Sequence, residues 1–171
     1  MTSLTLRPDG SYEDPTDPGE PTTGSPRRSV TDGECRLLGW LAAGRSVLEI
    51  GTGLGVSTRA LAVGAESVCT VDVDPWVYEH VWPGLRAEWV KTCEGPPVVD
   101  GIELAFDMAF IDGAHHYAAV RADLETCWRL VQPGGLIVLH DARYDDVARA
   151  AAEFGKMVLV ETEHALGMLW R

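Results

Sequence analysis

The sequence has no long apolar run, and this absence excludes a transmembrane helix. No stretch of the 171-residue chain approaches the roughly 18 to 20 consecutive apolar residues that a bilayer span needs. The N-terminus also lacks the basic-then-apolar pattern of a secretory signal peptide. We therefore expect a cytoplasmic protein that makes no contact with a membrane.

Basic side chains and paired cysteines are also scarce. Only 14 lysine and arginine residues stand against 26 aspartate and glutamate residues, which gives a formal net charge of -12. This charge repels a phosphate backbone at long range, so nucleic acid is not an expected partner. The four cysteines include no CxxC pair, which favours free, mostly buried thiols over a disulfide framework.

Large apolar side chains are nearly absent from residues 1–34, which contain five of the ten prolines. Such a composition cannot bury enough surface to offset the entropy that is lost when a chain becomes ordered. We predict that residues 1–34 form a disordered or loosely attached arm, and an arm that folds over a bound ligand or serves a partner is the alternative. Residues 35–171 are predicted to form one folded domain.

From residue 35 onward, short apolar runs alternate with amphipathic segments, which is typical of strands and helices around a parallel sheet. The pattern predicts an α/β fold with a single doubly wound, Rossmann-like sheet of about seven strands, mostly parallel with a C-terminal antiparallel hairpin. Strands are predicted over 46–50, 67–73, 88–93, 106–111, 136–139, 157–160 and 166–170. Helices are predicted around 37–41 and over 56–63, 75–82, 117–131 and 145–154, with Gly64 and Gly155 as C-terminal caps and Pro133-Gly134-Gly135 as a connection.

Glycine occupies alternate positions after the first predicted strand, at Gly51, Gly53 and Gly55. Missing side chains let the backbone turn sharply and approach a ligand closely. The loop lacks the third glycine of a dinucleotide-binding fingerprint, because Val56 stands there, and it lacks the lysine of a P-loop. Nothing in the loop is suited to neutralise a pyrophosphate or a triphosphate. A tight turn that binds no ligand is the structural alternative.

The pattern E-x-G-x-G-x-G from Glu49 to Gly55 resembles motif I of class I S-adenosylmethionine-dependent methyltransferases. Asp72, 17 residues after Gly55, lies at the end of the next predicted strand and resembles the ribose-binding acid of that family. A carboxylate at this place can accept hydrogen bonds from both ribose hydroxyls. The resemblance implies S-adenosylmethionine as the cofactor. It implies cofactor contacts at Glu49, Gly51, Thr52, Gly53, Gly55, Ser57, Asp72, Val73 and Asp112.

Two further segments, 106–117 and 133–141, carry the patterns FDxxFIDGxHxY and PGGxIxxHD. They are similar to a small O-methyltransferase branch that includes catechol-type enzymes, macrocin-type sugar O-methyltransferases and cephalosporin-hydroxylase-like proteins. The resemblance implies methyl transfer to an oxygen of a small-molecule acceptor. A catalytically silent cofactor-binding or assembly protein and a hydroxylase-like reaction on the same scaffold are the alternatives. A homo-oligomer is left open.

Asp112 and Asp141 follow adjacent predicted strands and are expected to face one pocket. Two such carboxylates repel each other unless a cation or a shared proton lies between them. The resemblance implies a divalent metal, Mg²⁺ or Mn²⁺, between Asp112 and Asp141, and His140, which stands where macrocin-type enzymes have an acid, is a candidate third ligand. Ala142 stands where catechol-type enzymes have an amide, which leaves a metal-free site open. In that alternative, His140 or His115 is the general base and Asp141 belongs to the catalytic set. Capping of turns by the two aspartates is the structural alternative.

Four aromatic residues lie after the predicted ribose-binding acid, at Trp76, Tyr78, Trp82 and Trp89. They belong to the side of the sheet where the adenine is expected, so they are candidates to pack on that base or to cover a hydrophobic acceptor. Aromatic residues at helical spacing also pack in protein cores, and core packing is the alternative.

Overall fold

The computed structural model describes residues 30–85 and 106–171, together with the backbone of three short strands, Thr5–Leu6, Tyr12–Glu13 and Val90–Glu94. Thr5–Leu6 pairs antiparallel with Tyr12–Glu13. The rest of residues 1–29 lies outside the described residues. Trp89, one of the four aromatic candidates for packing on the adenine, also lies outside them. Among the described residues, no helix is long and apolar enough to cross a bilayer.

The main sheet contains β1 (Ser46–Ile50), β2 (Ser67–Asp72), β3 (Val90–Glu94), β4 (Phe106–Ile111), β5 (Val131–Leu139), β6 (Val158–Val160) and β7 (Leu166–Trp170). Their order across the sheet is β3-β2-β1-β4-β5-β7-β6. Strands β1 to β5 pair in parallel, and β7 runs antiparallel to both β5 and β6. The predicted doubly wound sheet with a C-terminal antiparallel hairpin is confirmed.

The helices are α1 (Asp32–Leu41), α2 (Val56–Gly64), α3 (Pro75–His80), α4 (Tyr117–Leu130) and α5 (Asp145–Ala152), and a 3-10 turn spans Trp82–Gly84. Helix α1 packs on α2, and α4 packs on α5. The two helix pairs cover opposite faces of the sheet. Successive residues of a strand point to opposite faces, so alternate residues of one strand contact different helix pairs. In β4, Met108 and Phe110 pack with the α1 side, whereas Ala109 and Ile111 pack with the α4 side.

The folded domain begins earlier than the sequence predicts. Val30 is buried in the core cluster beside α1, and Thr31 caps this helix. The Glu34 backbone N–H donates to the Thr31 hydroxyl, and the Thr31 backbone N–H donates to the Glu34 carboxylate at 2.9 Å. This capping box starts the helix at Asp32. The predicted boundary between residues 34 and 35 is therefore wrong, because the polar residues that start this helix resemble the arm in composition.

Gly64 has a different role from the predicted helix cap. It is the last residue of α2, and Ala65 caps the helix instead. A side chain at Gly64 would overlap the backbone carbonyl oxygen of Gly39 on α1. The glycine therefore allows α1 and α2 to pack backbone against backbone.

Strand β5 is longer than predicted. It begins at Val131, directly after α4, and includes the Pro133-Gly134-Gly135 segment that was predicted to be a connection. Residues 132–134 are exposed, whereas Leu136 to Leu139 are buried between the two helical layers. The pairing with β4 shifts register between Phe106 and Met108. An exposed, irregular strand start explains why the sequence pattern indicated only the buried half.

The other predicted boundaries differ by two residues or fewer where they can be compared. The strand predicted over 67–73 ends at Asp72, and the helices predicted over 75–82 and 145–154 end at His80 and Ala152. Gly155 therefore lies beyond the end of α5 and its cap, Glu153. Cys69 and Cys127 are buried thiols and Cys35 is a half-buried one, as expected. The side chain of the fourth cysteine lies outside the described residues.

Candidate active site

The glycine loop connects β1 to α2 at the carboxyl edge of the sheet. Gly51, Gly53 and Gly55 have φ angles of +94°, +49° and +73°, which side chains disfavour. A side chain at Gly51 would overlap the backbone carbonyl of Asp112, at the end of the neighbouring strand β4. Gly53 is exposed and faces open space. The loop therefore lies against the end of β4 while leaving a bare backbone surface for a ligand.

Asp72 ends β2 beside this loop. Its Oδ2 accepts the backbone N–H of Gly53 at 3.0 Å, and its Oδ1 accepts the backbone N–H of Asp74 at 2.9 Å. These two bonds fix the plane of a half-exposed carboxylate, and each oxygen retains a second lone pair. Val73, which follows it, is 68% exposed. The arrangement suits a ligand that offers two adjacent hydroxyl groups.

Glu49 lies beneath the loop and is fully buried. Its Oε2 accepts the Thr58 hydroxyl at 2.6 Å, whereas its Oε1 has no hydrogen-bond partner among the described residues. Burial raises the pKa of Glu49 to about 7, although hydroxyl groups of Ser57, Thr58 and Thr70 oppose the increase. A buried, unpaired acceptor is unusual in a folded protein. It fits a site that receives a cationic or hydrogen-bond-donating ligand group.

Thr52 directs its side chain into the protein. Its hydroxyl lies 2.6 Å from the Thr70 hydroxyl and accepts the Trp82 indole N–H at 3.4 Å. Tyr78 stacks on Trp82 with ring centroids 4.3 Å apart, and it donates its hydroxyl to the Asp72 carbonyl at 2.7 Å. The predicted aromatic segment is thus attached to both the glycine loop and the end of β2.

Asp112, His115 and Asp141 come together at the ends of β4 and β5. His115 Nε2 lies 3.1 Å from Asp141 Oδ2 and 3.9 Å from Asp112 Oδ1. The side chain of His115 is 43% exposed, whereas that of Asp141 is 8% exposed. Asp141 has a φ angle of +52°, which is rare for a residue with a side chain and clusters at functional sites. The three predicted residues therefore form one solvent-facing cluster.

His140 lies behind this cluster, and its side chain is fully buried. Its Nδ1 lies 3.3 Å from Asp112 Oδ1 and 3.2 Å from Asp141 Oδ2, and its Nε2 lies 3.5 Å from Glu34 Oε2. Burial lowers the pKa of His140, but Asp112, Asp141 and Glu34 together raise it to about 9. In the metal-free protein, His140 therefore carries a proton at neutral pH and has no exposed surface that an acceptor could contact.

Sequence reasoning missed Glu34 and His164. Glu34 is fully buried, and it accepts the Thr162 hydroxyl at 2.7 Å and the His164 backbone N–H at 3.0 Å. Burial raises the pKa of Glu34, but its hydrogen bonds outweigh this effect and hold the pKa well below the usual range. The T-x-x-E spacing from Thr31 could have indicated the helix start. No local signal indicates the contact with His140, which lies 106 residues away.

The donor set at the cluster fits a divalent metal ion. One ligand atom each from Asp112, His115 and Asp141 lies within 4.8 Å of the others. Carboxylate oxygens and imidazole nitrogens together suit transition metals such as Mn²⁺ or Zn²⁺. The structure thus adds His115 to the predicted ligands, and it places the predicted ligand His140 on the buried side of the two carboxylates.

A surface cavity of about 790 Å³ lies at the opposite edge of the sheet. It is lined by Trp40, Arg45 and Asp107, which lie at the end of α1 and the amino ends of β1 and β4, and by Trp170 at the end of β7. Ligands of doubly wound sheets bind outside the carboxyl ends of the strands. This cavity is therefore separate from the glycine loop and the carboxylate cluster.

Residues 48–142 match a protein family described as a methyltransferase domain. The match spans more than half of the chain and includes the glycine loop, Asp72, Asp112 and Asp141. The chain belongs to this methyltransferase family. The predicted relationship to class I S-adenosylmethionine-dependent methyltransferases is thereby confirmed. None of the curated protein sequences matches this methyltransferase.

Several solved structures share the fold of the methyltransferase. Cofactor-bound Rv0187 from MTB is 26% identical with a TM-score of 0.71, over 84% of this chain and 82% of that chain. The O-methyltransferase from Bacillus cereus in complex with SAH is 18% identical with a TM-score of 0.70, over 85% and 84%. The N-methyltransferase NodS from Bradyrhizobium japonicum WM9, also in complex with SAH, is 18% identical with a TM-score of 0.64, over 81% and 86%. The last two similarities show the fold alone.

Proposed function

We propose that this methyltransferase transfers the methyl group of S-adenosylmethionine to a hydroxyl oxygen of a small molecule. The convergence of Asp112, His115 and Asp141 beside the glycine loop is the observation that carries the proposal. Methylation of a hydroxyl requires removal of its proton, and an exposed histidine paired with a carboxylate can accept that proton. The Bacillus cereus protein with a similar fold is an O-methyltransferase.

The cofactor is proposed to lie across the glycine loop. Asp72 accepts hydrogen bonds from the two ribose hydroxyls, since its carboxylate is already fixed beside Gly53. The unpaired Oε1 of Glu49 accepts a hydrogen bond from the ammonium group of the methionine part, directly or through one water. The remaining cofactor contacts are proposed at Gly51, Thr52, Gly53, Gly55, Val73 and Asp112. Ser57 is buried and acts through Glu49.

His115 is proposed as the general base. When Asp141 accepts the Nε2–H of His115, Nδ1 becomes the atom that takes the proton of the acceptor hydroxyl. The acceptor oxygen attacks the methyl carbon in line with the carbon–sulfur bond. That bond breaks with its electron pair on sulfur, so S-adenosylhomocysteine leaves and His115 retains the proton. Asp112 and Asp141 hold His115 beside the reacting atoms and contact the buried His140 behind it.

A divalent ion offers the alternative activation of the acceptor. Asp112 and Asp141 would hold it together with His115 or His140. Such an ion supplies Lewis acidity that lowers the pKa of a bound hydroxyl.

The test is methyl transfer from radiolabelled S-adenosylmethionine to a panel of phenols, catechols, sugars and amines. We expect labelled product with hydroxyl acceptors, and we expect the activity to persist in chelator. His115→Ala should lower kcat about 10²- to 10⁴-fold. His116→Asn is the matched control, because asparagine keeps the helix-capping role of that neighbouring histidine.

The other outcomes are distinct. Loss of activity in chelator, with recovery in Mn²⁺ or Mg²⁺, would show that a metal ion activates the acceptor hydroxyl and would contradict the histidine base. Product with amines alone would contradict O-methylation. Cofactor binding without any product would favour a silent binding protein, and an oxidised acceptor would favour the hydroxylase-like reaction.

A further inference from the structure

We propose that Glu34 is a positioning residue, which holds the imidazole of His140 against Asp112 and Asp141 and so sets the geometry of the acceptor site. The inference extends the proposed function, since it gives a catalytic purpose to a residue outside the family match. It also assigns a role to the N-terminal turn of α1, which lies beside the carboxyl end of β5.

Glu34 is held from three separate elements. At the start of α1, the backbone N–H and the hydroxyl of Thr31 donate to its Oε2, at 2.9 and 3.0 Å. From the turn between β6 and β7, Thr162 and the backbone of His164 donate to its Oε1. At the end of β5, His140 Nε2 lies 3.5 Å from its Oε2. A helix cap alone needs only the contacts with Thr31, so the remaining contacts indicate a second purpose.

The contacts continue from Glu34 to the solvent-facing cluster. One ring nitrogen of His140 faces Glu34, and the other lies within 3.3 Å of both Asp112 and Asp141. Asp141 in turn lies 3.1 Å from His115. A carboxylate behind an imidazole fixes the orientation of the ring. Glu34 therefore determines how His140 meets the two aspartates that surround the reacting groups.

The environment of the His140 ring leaves it little freedom to turn. Phe110 contacts it edge-on with centroids 6.3 Å apart, and the His164 ring lies 5.1 Å away. His164 Nδ1 also lies 3.2 Å from Glu34 Oε2. Because the ring is enclosed by these groups, a change at Glu34 acts on the acceptor site through His140 and its contacts with the two aspartates.

Glu34→Gln is the direct test, because glutamine keeps an oxygen for the helix cap and removes the charge. We expect kcat to fall about 10- to 100-fold, the range typical of groups that orient a ligand or catalytic histidine. The KM and the dissociation constant for the cofactor should stay unchanged, since Glu34 is held by the start of α1 and by the turn between β6 and β7, not by the glycine loop. Leu41→Ala, on the same helix and away from the histidines, is the control for lost stability. Its kcat at 25 °C should match that of the wild type.

A spectroscopic measurement separates this inference from the proposed function. In the ¹⁵N spectrum of the histidine rings, Glu34→Gln should shift the signals of His140, and Leu41→Ala should not. Thr162→Val removes one donor from Glu34 without removing its charge, so it should shift the same signals less and remains informative if Glu34→Gln does not fold.

An unchanged His140 signal in a folded Glu34→Gln or Thr162→Val variant would overturn the inference, whatever the activity. Equal kcat values for an active wild type and Glu34→Gln would also overturn it. An inactive wild-type protein with shifted His140 signals would instead contradict the proposed function and leave the contact between Glu34 and His140 supported.

Discussion

Three acidic residues show how the surroundings give one type of side chain different chemistry. Asp72 is half-exposed and accepts two backbone N–H groups, which fix the orientation of its carboxylate. Glu34 is buried but has enough donors to keep its charge. Glu49 is buried with one oxygen unpaired, and it retains a proton up to about pH 7. Of the two glutamates, only Glu49 changes its charge near neutral pH.

Replacement of Asp72 tests the assignment of the ribose site. Asp72→Ala removes charge-assisted hydrogen bonds, so the affinity for S-adenosylhomocysteine should fall about ten- to hundredfold. Calorimetric titration measures this change. Asp74→Ala is the control, because Asp74 caps α3 with its side chain and should leave the affinity nearly unchanged. Equal affinities of the Asp72→Ala variant and the wild type would exclude Asp72 as a ribose ligand.

Glu49 predicts a pH dependence of cofactor binding. The pKa of about 7 lies above the value of 4.5 for an unperturbed glutamate, so the folded protein holds a proton that the unfolded chain has lost. Its contribution to stability therefore decreases as the pH rises from 4.5 to 7. A bound ammonium group favours the ionised form, and binding must then displace this proton at low pH.

Affinity for S-adenosylhomocysteine should accordingly fall below pH 7, by at most about tenfold for each pH unit. Calorimetry between pH 5.5 and 7.5 measures the trend, and buffers with different ionisation enthalpies measure the released proton. Glu49→Gln should abolish the dependence. A dependence that persists in this variant would show that another group is responsible.

Among single residues, the sequence predicts those at the ends of strands and misses those that are brought together by tertiary contacts. Asp72, Asp112 and Asp141 could be predicted because parallel strands end at one edge of a sheet. The contact between Glu34 and His140 depends on how α1 packs beside β5, which no local pattern specifies. The sequence makes His140 a candidate for a directly acting base, but its side chain is fully buried. This burial also depends on tertiary packing, which no local pattern specifies.

At the scale of elements, the packing of α1 against α2 depends on glycine. Gly39 and Gly64 face each other where the two helices cross, and a side chain at Gly64 would overlap the Gly39 carbonyl. Helix α1 carries Glu34, and α2 begins immediately after the glycine loop. Close packing of these helices therefore supports both halves of the site.

Alanine substitutions distinguish packing from helix propensity. Gly64→Ala should destabilise the protein by about 1 to 3 kcal/mol or more, because the added methyl group forces the helices apart. Gly33→Ala, near the start of α1, meets no atom closer than 3.9 Å and should be neutral or stabilising by up to about 1 kcal/mol. Thermal unfolding of both variants measures the difference. Equal melting temperatures would contradict the packing role of Gly64.

Elements with a uniform environment match their sequence patterns best. The bounds of β1 and β4 agree with the predictions because both are apolar runs buried on two faces. Strand β5 combines an exposed start with a buried end, so its pattern indicated only Leu136 to Leu139. The start of α1 was missed because Thr31 and Asp32 resemble the polar residues that precede them.

At the scale of the molecule, the chain places its chemistry at one edge of the sheet. The order of the strands reverses between β1 and β4, and the glycine loop and Asp112 meet at that point. The net charge of -12 is compatible with a cationic sulfonium cofactor and unfavourable for nucleic acid. The absence of a nucleic-acid partner, the cytoplasmic location and the oligomeric state stay predictions.

Truncation tests where the folded domain begins. Removal of residues 1–28 should leave the melting temperature nearly unchanged, because few apolar side chains are lost. Removal of residues 1–34 also deletes Val30, the Thr31 cap and Glu34, and should lower the melting temperature by at least about 5 °C. Differential scanning calorimetry compares the two. A large loss in the shorter truncation would show that the arm packs on the domain.

The most direct test of the central claim is a crystal structure of the protein with S-adenosylhomocysteine. We expect the ribose hydroxyls to lie within hydrogen-bonding distance of Asp72 and the backbone of Gly53 to border the cofactor. We also expect the sulfur to face the cluster of Asp112, His115 and Asp141. A cofactor bound elsewhere, or one whose sulfur points away from these three residues, would contradict the proposed site of methyl transfer.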